Sequence, residues 1–519
     1  LTKKKIIKNQ TNYLPHSIWP VHLLNKLERD GVNYLGITLY ELMLRAGNEI
    51  YKHISFNWPD AKHWLFLCGK GNNGGDGYIA ARIAKISGKK VTLVSVNEQI
   101  SSKETQFAYN AWLSIDGKIV GPNQIWPDKV DIIIDALLGT GINRIPNKIY
   151  SILIEKANKH YAPILSVDIP SGLFASNGNV PGMAIFASHT LSFIALKPGQ
   201  ITGRARDYIG KLYYVDLGLK SFLLQKKPPI LRYDSSFLSY WFKPRKPTSH
   251  KGDNGRLLII GGDMGMVGAI FMTSEAALRT GSGLVKLLTY QANILPIITA
   301  RPEIMIDDIT KDSVLKKSLS WADVIVIGPG LGNKDLAIDI LRKISISNKP
   351  MLWDADALGF LATINNKKNN RIITPHPGEA SVLLNSNINE IENDRLYAAK
   401  NLVNKYGGVI VLKGAGTIIA DEKGNIAIAD VGNAGMGSGG MGDVLSGIIA
   451  SLAGQGFTLF NAACTGCVVH GAAADELTNN FGKRGLLATD LFKILWKFIN
   501  PDMKNKRNKM KTLYKQKIN

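Results

Sequence analysis

The 519-residue chain has little cysteine, few acids relative to its bases, and no long apolar run. Each shortage excludes something. Three cysteines (Cys68, Cys464 and Cys467) cannot staple a chain of this length, so a reducing, cytoplasmic compartment is expected. No uninterrupted apolar stretch approaches the roughly 20 residues of a membrane span, so no membrane partner is expected. The opening LTKKKIIKNQTNY is basic but has no apolar core behind it, which argues against a secretory signal. Acids number 41 against 63 Lys and Arg, giving a formal net charge of +22. The surplus is scattered among asparagines, as in INNKKNNR, without an aromatic-interleaved basic module. A specific nucleic-acid partner is therefore not expected. A basic surface still attracts a phosphate-rich small substrate.

What is present is a repeated grammar of strand, glycine turn and helix. HWLFLC, GKGNNGGDG and YIAARIAKISG read as strand, turn and helix. KKVTLVSV, VDIIID, APILSVDIP, ASHTLSFIAL and GKLYYVDLG add further strands. After a Pro- and Lys-rich connection between Ser221 and His250 the pattern restarts with GRLLIIGGDMGMVGA. It continues through ADVIVIGPGLG, KPMLWDADAL, NRIITPHPGEAS and GVIVLKGAGT. Alternating strands and helices predict α/β domains built on mostly parallel sheets. The expected division is residues 1–228, residues 229–500 and a basic tail, 501–519, of solvated helix or disorder.

In the first half, GKGNNG matches a dinucleotide-binding turn by letter, but the turn continues into Gly75, Asp76 and Gly77, placing an acid beside the presumed phosphate site. DIIIDALLGTG ends a strand on Asp135, and SVDIPSG ends another on Asp168 with Ser171 beyond. Each aspartate taken singly is explained as well by helix N-capping. Three at the carboxyl ends of parallel strands, where such sheets bind ligands, predict a site.

In the second half, GMGSGGMGDVLSGIIA places Asp443 where a glycine cluster meets a helix. Bare amides at a helix N-terminus attract anions. An aspartate at that mouth can take the proton of an attacking hydroxyl in phosphoryl transfer. The alternative is a glycine-rich helix start with Asp443 as N-cap. The CTGC pair lies in an apparent helix and reads as small packing residues rather than a zinc or redox site. His376, between two prolines at a strand end, is expected to touch substrate.

GKGNNGGDG, DALLGTG and VDIPSG, in that order over roughly Pro20 to Gly218, resemble the NAD(P)H-hydrate epimerase family, with a Rossmann-like three-layer domain. The resemblance implies interconversion of the R and S epimers of hydrated NADH and NADPH. By it, Asn72, Asn73, Gly74, Gly75, Asp76, Gly139, Thr140, Gly141, Ile142, Asn143, Arg144, Ile145 and Asp168 bind that substrate. Asn73, Asp135 and Ser171 hold potassium. Asp168 is the expected acid/base.

IIGGDMGMVGA, AALRTGSGLV, VIGPGLG, DADAL, TPHPGEAS, VLKGAGT and NAGMGSGGMGDVL, over roughly Gly252 to Trp496, resemble the ADP-dependent NAD(P)H-hydrate dehydratases of the ribokinase-like fold. This implies that Lys413, Gly414, Ala415, Gly416 and Thr417 bind ADP with Asn433, Ala434, Gly435, Met436, Gly437, Ser438, Gly439, Gly440, Met441 and Gly442. Gly330, His376, Pro377, Gly378, Glu379, Ala380, Ser381, Val382 and Asp443 would bind the hydrate, with Asp443 as base and magnesium assisting. Gly359 and Ala434 depart from the usual pattern without touching the base. A homo-oligomer acting on small molecules is expected. Two alternatives stay open: a ribokinase-like small-molecule kinase with an N-terminal nucleotide-binding module, and a nucleotide-binding regulator without catalysis. The intact GMGD opposes the regulator, and NNGGD with VDIPSG opposes the generic kinase.

Overall fold

A computed structural model describes residues 14–96 and 99–501. The basic opening segment and, beyond Pro501, the basic tail lie outside the described residues. The chain divides into two compact units, Leu1–Leu231 and Arg232–Asn519.

The first unit is built on a six-stranded sheet in the order Lys90–Ser95, His63–Cys68, Ile132–Ala136, Ile164–Val167, His189–Phe193, Lys211–Val215. All neighbouring pairs are parallel. Every residue of His63–Cys68 is buried, and the side chains divide by parity. Trp64, Phe66 and Cys68 join one apolar cluster with Met43, Ile50, Ala80 and Ala84 from helices Leu39–Asn57 and Asn72–Ile86. Leu65 and Leu67 join the other, with Leu153, Ile154 and Ala157 from helix Lys148–Lys159. The strand's period of two thus builds the three layers. Burying each such large apolar side chain is worth about 1.5–3 kcal/mol.

The strand order places His63–Cys68 between the strands that follow it, so the chain leaves it first in one direction and then in the other. Loops diverge at such a switch point and leave a crevice beyond the strand ends. The loops in question are those after Cys68 and after Ala136.

GKGNNGGDG is not all turn: helix Asn72–Ile86 begins inside it. A Cβ at Gly74 would stand 2.0 Å from the Gly69 carbonyl oxygen. One at Gly77 would stand 2.8 Å from both Ala136 Cβ and Cys68 Sγ. The glycines serve close approach of helix to strand, and that packing overrides their poor helix propensity.

In the second unit the strands run Ile426–Ala429, Thr417–Asp421, Val409–Leu412, Arg371–Ile373, Met351–Trp353, Val324–Ile327, Arg256–Ile260, Leu284–Thr289, Met305–Asp308. Pairing is parallel from Val409–Leu412 onward and antiparallel at the first two junctions. Val324–Ile327, parallel to both neighbours, and Val409–Leu412 are buried throughout, as expected for strands covered on both faces. Helices Val267–Thr280, Met441–Gly454 and Leu459–Phe481 pack as neighbours, and Gly447 lets the second approach the first: a Cβ there would lie 2.2 Å from the Thr273 carbonyl oxygen. The CTGC pair lies within Leu459–Phe481, where both thiols are buried and burial pushes Cys467 up to about 12. That is a packing role.

Candidate active sites

In the first unit a cavity of about 680 Å³ opens at the switch point. Asn72, Asn73, Asp76, Gly139, Thr140, Gly141, Ile142, Asn143, Arg144 and Asp168 line it. Gly74 and Gly75 do not: they are buried in helix packing. Ile145 is 61% exposed and also stands outside the lining. Three contributions were not foreseen. Val21, Asn25 and Glu28 come from helix Val21–Leu35. Leu39, Leu42, Met43 and Ala46 form an apolar wall on the next helix. Lys197 stands behind Asp168.

None of the three strand-associated aspartates caps a helix. Asp76 lies inside helix Asn72–Ile86, and Asp135 lies within its strand. Asp168 adopts φ +64°, a left-handed backbone unusual outside glycine. Its Oδ1 accepts from the Phe193 amide at 3.0 Å and from Lys197 Nζ. Its carbonyl accepts from Gln200 Nε2 at 2.7 Å. The 2%-exposed Lys197 also donates to the Phe193 carbonyl at 3.0 Å. The Asp168 side chain is thereby held in one orientation, with Oδ1 as the acceptor. Burial pushes Asp76 well above the carboxylate range; Asp168 and Glu28 add to this and Lys197 opposes it. Burial likewise lifts Glu28 to about 7, with Asp168 reinforcing and Lys197 opposing.

Asp135 is fully buried and burial raises it, against hydrogen bonds that favour its charge. Its carboxylate accepts from Ser171 Oγ at 2.5 Å, the Ser171 amide at 2.9 Å, Ser166 Oγ at 2.8 Å and the Leu137 amide at 3.3 Å. Asp135 and Ser171 are therefore brought together. Asn73 is half-buried, and both atoms of its side-chain amide are buried and lack a protein partner, beside Gly139. A buried amide without a hydrogen bond is costly unless a ligand or ion satisfies it.

In the second unit Asp443 is the third residue of helix Met441–Gly454. The N-cap is Gly440 at φ +89°, and no side chain caps the first turn. The N-cap alternative for Asp443 is thereby removed, and the first-turn amides remain aimed at the glycine loop. Burial lifts Asp443 to about 6; Asp354 and Asp356 reinforce this and Lys413 opposes it. Lys413 Nζ lies 3.0 Å from Asp354 Oδ1 and 3.6 Å from Glu379 Oε2. A Cβ at Gly442 would stand 3.4 Å from that ammonium, so the cation adjoins the loop. Asp354 is buried, and Ser446 Oγ holds its other oxygen at 2.7 Å. Asp354 was not foreseen, although it opens the DADAL motif.

The other anticipated residues divide by role. His376 caps helix Pro377–Leu384: its Nδ1 accepts from the amides of Gly378 at 3.0 Å and Glu379 at 3.3 Å. Ala380 and Ser381 are buried in packing, while Val382 is 62% exposed. The Gly330 carbonyl accepts from the Asp263 amide at 2.6 Å, tying its loop to the Gly261–Met266 turn. Asn433 shapes the glycine loop, accepting from the Gly435 amide at 2.9 Å and donating to Asp475 Oδ1 at 2.8 Å. Ser438 Oγ donates to the Leu486 carbonyl at 3.0 Å, and Thr417 Oγ1 to that of Gly414 at 3.0 Å.

A family model described as YjeF-related protein N-terminus matches residues 39–199, and one described as NAD(P)H-hydrate dehydratase matches residues 257–497. The bifunctional NAD(P)H-hydrate repair enzyme Nnr of Escherichia coli (strain K12) is 54% identical over 509 residues, covering 98% of each chain. The chain belongs to the bifunctional NAD(P)H-hydrate repair enzyme family. The member of that name from Vibrio cholerae is 40% identical, over 94% of this chain and 99% of its own. An ADP/ATP-dependent NAD(P)H-hydrate dehydratase from Bacillus subtilis, solved with ATP/Mg2+, is 28% identical over 51% of this chain and 95% of its own, with a TM-score of 0.46. The two family models fall one on each compact unit, and helix Val21–Leu35 precedes the first of them.

Proposed function

We propose that the chain repairs hydrated NADH and NADPH with one step in each unit, the domains being residues 1–228 and 229–500. The first interconverts the R and S hydrates. The second phosphorylates the S-hydrate hydroxyl from ADP and eliminates phosphate, yielding NADH or NADPH and AMP.

In the first domain the amides of Gly139–Arg144 and the side chains of Asn72 and Asn73 bind the substrate beside Asp76. Asp168, oriented by Lys197, exchanges the proton. Potassium would be held by Asn73, Asp135 and Ser171. The fit rests on the unpartnered Asn73 amide and on a donor set made of oxygens with a single carboxylate, which suits a hard monovalent ion. Bound there, it would supply positive charge beside the substrate.

In the second domain the uncapped first turn of Met441–Gly454 and Lys413 hold the phosphates of ADP. Asp443, raised to about 6, is a carboxylate at neutral pH whose basicity is well matched to taking the attacking hydroxyl's proton. Among the described residues no group of three His, Cys, Asp or Glu is placed to hold a metal ion. Magnesium would accompany the diphosphate, its usual partner, and supply charge neutralisation when bound. Glu379 and Asp443 are the carboxylates available to it.

The observation that carries this reading is the union of Lys413, Asp354 and Asp443 at an uncapped, glycine-fed helix N-terminus. The same reading includes a cytoplasmic homo-oligomer acting on small molecules, without specific nucleic-acid or membrane partners. Among the described residues no helix is long and apolar enough to cross a membrane. The test is to incubate the protein with hydrated NADH and ADP. Absorbance at the NADH band should recover with ADP and stay flat without it. Recovery independent of any nucleotide would overturn the assignment.

A further inference from the structure

The epimerase cavity holds an acid that the reaction described so far does not use. Glu28 projects from helix Val21–Leu35 into the same cavity wall as Asp76 and Asp168. Its flanking residues Leu24, Leu27 and Val32 are buried in the apolar core, so the helix is fixed and Glu28 keeps its place. The charged groups facing it are Asp168, Asp76 and Lys197; Lys70, Glu104 and Arg144 also line the cavity. A partly desolvated carboxyl set among two others lowers stability, and a purely structural role gives no reason for it.

The chemistry has a vacancy of matching kind. Water adding to an enamine leaves the hydroxyl on the carbon bonded to nitrogen. Inverting that carbon needs an acid for the departing hydroxyl and a base for the returning water. Asp168 is clamped by Lys197 and the Phe193 amide as an acceptor, which suits the base and not the donor.

Resting on the epimerase reading above, we infer that Glu28 is the proton donor of this site and works with Asp168 as base. Glu28 gives its proton to the hydroxyl as the C–O bond breaks and the ring nitrogen's lone pair forms the C=N bond. Water then bonds to the other face of that carbon as the C=N pair returns to nitrogen, and its proton passes to Asp168. Exchange with solvent resets both carboxyls. No electron is gained or lost overall. Burial and the neighbouring acids keep Glu28 partly protonated near neutrality, as a donor requires.

The test is the initial R-to-S rate of the full chain between pH 5.5 and 9 for the parent, Glu28→Gln, Glu28→Asp and Asp76→Asn. A thermal unfolding profile matching the parent's for each variant reports that the first unit is folded. The parent rate should fall as pH rises past about 7. Glu28→Gln should lose at least about a hundredfold in rate, and its remaining activity should lack that alkaline limb. Glu28→Asp should recover part of the rate and restore the limb. A parent that epimerises with its limb intact in Glu28→Gln, or with a rate within a few-fold, overturns this assignment alone. So does loss of the limb in Asp76→Asn while Glu28→Gln keeps it. A parent that interconverts no epimers overturns the epimerase reading itself.

Discussion

Replacing Asp443 with asparagine should make the protein more stable and nearly inactive at once. The carboxyl is raised from 3.8 to about 6, chiefly by burial, with Asp354 and Asp356 adding repulsion. In the unfolded chain it titrates near its ordinary value. The native state therefore holds the proton more tightly than the unfolded one, and stability falls as pH rises through this window. Below about 4 both states are protonated and the group contributes nothing. Above about 6 both are ionised, and the native state bears the full penalty of roughly two units, or about 3 kcal/mol as an upper figure. Partial solvent access reduces that figure. Asp443→Asn keeps the shape and removes the charge. Its thermal midpoint should exceed the parent's at pH 7.5, and the gap should close as pH falls towards 4. Dehydration of S-hydrate should drop at least about a hundredfold through loss of the base. ADP binding should change far less, since Lys413 and the helix amides hold the phosphates. The assays are thermal unfolding across pH and steady-state dehydration with pure S-hydrate. Normal turnover by the variant, or lower stability than the parent at every pH, would show that Asp443 is neither the base nor a buried destabilising charge.

Asp168→Ala should abolish epimerisation while dehydration of pure S-hydrate persists, so an epimer mixture is repaired only down to its R fraction. Loss of both activities in folded protein would contradict separate sites. Epimerisation should be faster in potassium than in sodium chloride at equal ionic strength, a precaution needed because salt also screens a +22 protein from its anionic substrate. Asp135→Ala should remove the potassium response with most of the activity. Equal rates in both salts, with Asp135→Ala like the parent, would leave the cation site unsupported.

Both folds, and the residues that the structure gathers at the two candidate sites, were legible where they rest on local signals. Asp135 and Asp168 stand at the ends of short apolar strands, and parallel topology carries such ends to one edge. The glycines before Asp443 announce a loop that must approach something closely. What escaped notice depends on contacts distant in sequence. Glu28 lies on an amphipathic helix whose pattern reports only a buried face; its position against Asp168 is set by packing across 140 residues. Lys197 looks like any surface lysine until the turn after His189–Phe193 folds it behind Asp168. Asp354 was visible in DADAL, but its grip on Lys413 appears only once Met351–Trp353 and Val409–Leu412 join one sheet. The early start of helix Asn72–Ile86 was hidden because glycine propensity opposes it and only the neighbouring strands explain it. His376 was expected at the substrate, and its Nδ1 proves occupied in capping the next helix.

If one chain carries both steps of repair, product stoichiometry must show it. The full-length protein is given a defined mixture of R- and S-hydrated NADH with excess ADP, and NADH, AMP and phosphate are quantified as the reaction runs to completion. Both epimers should be consumed, with one AMP and one phosphate formed for each NADH recovered, and Asp168→Ala should stall once the S-epimer is spent. Conversion that stops at the S fraction in the parent, or NADH recovered without matching AMP, would contradict repair of both epimers by one chain.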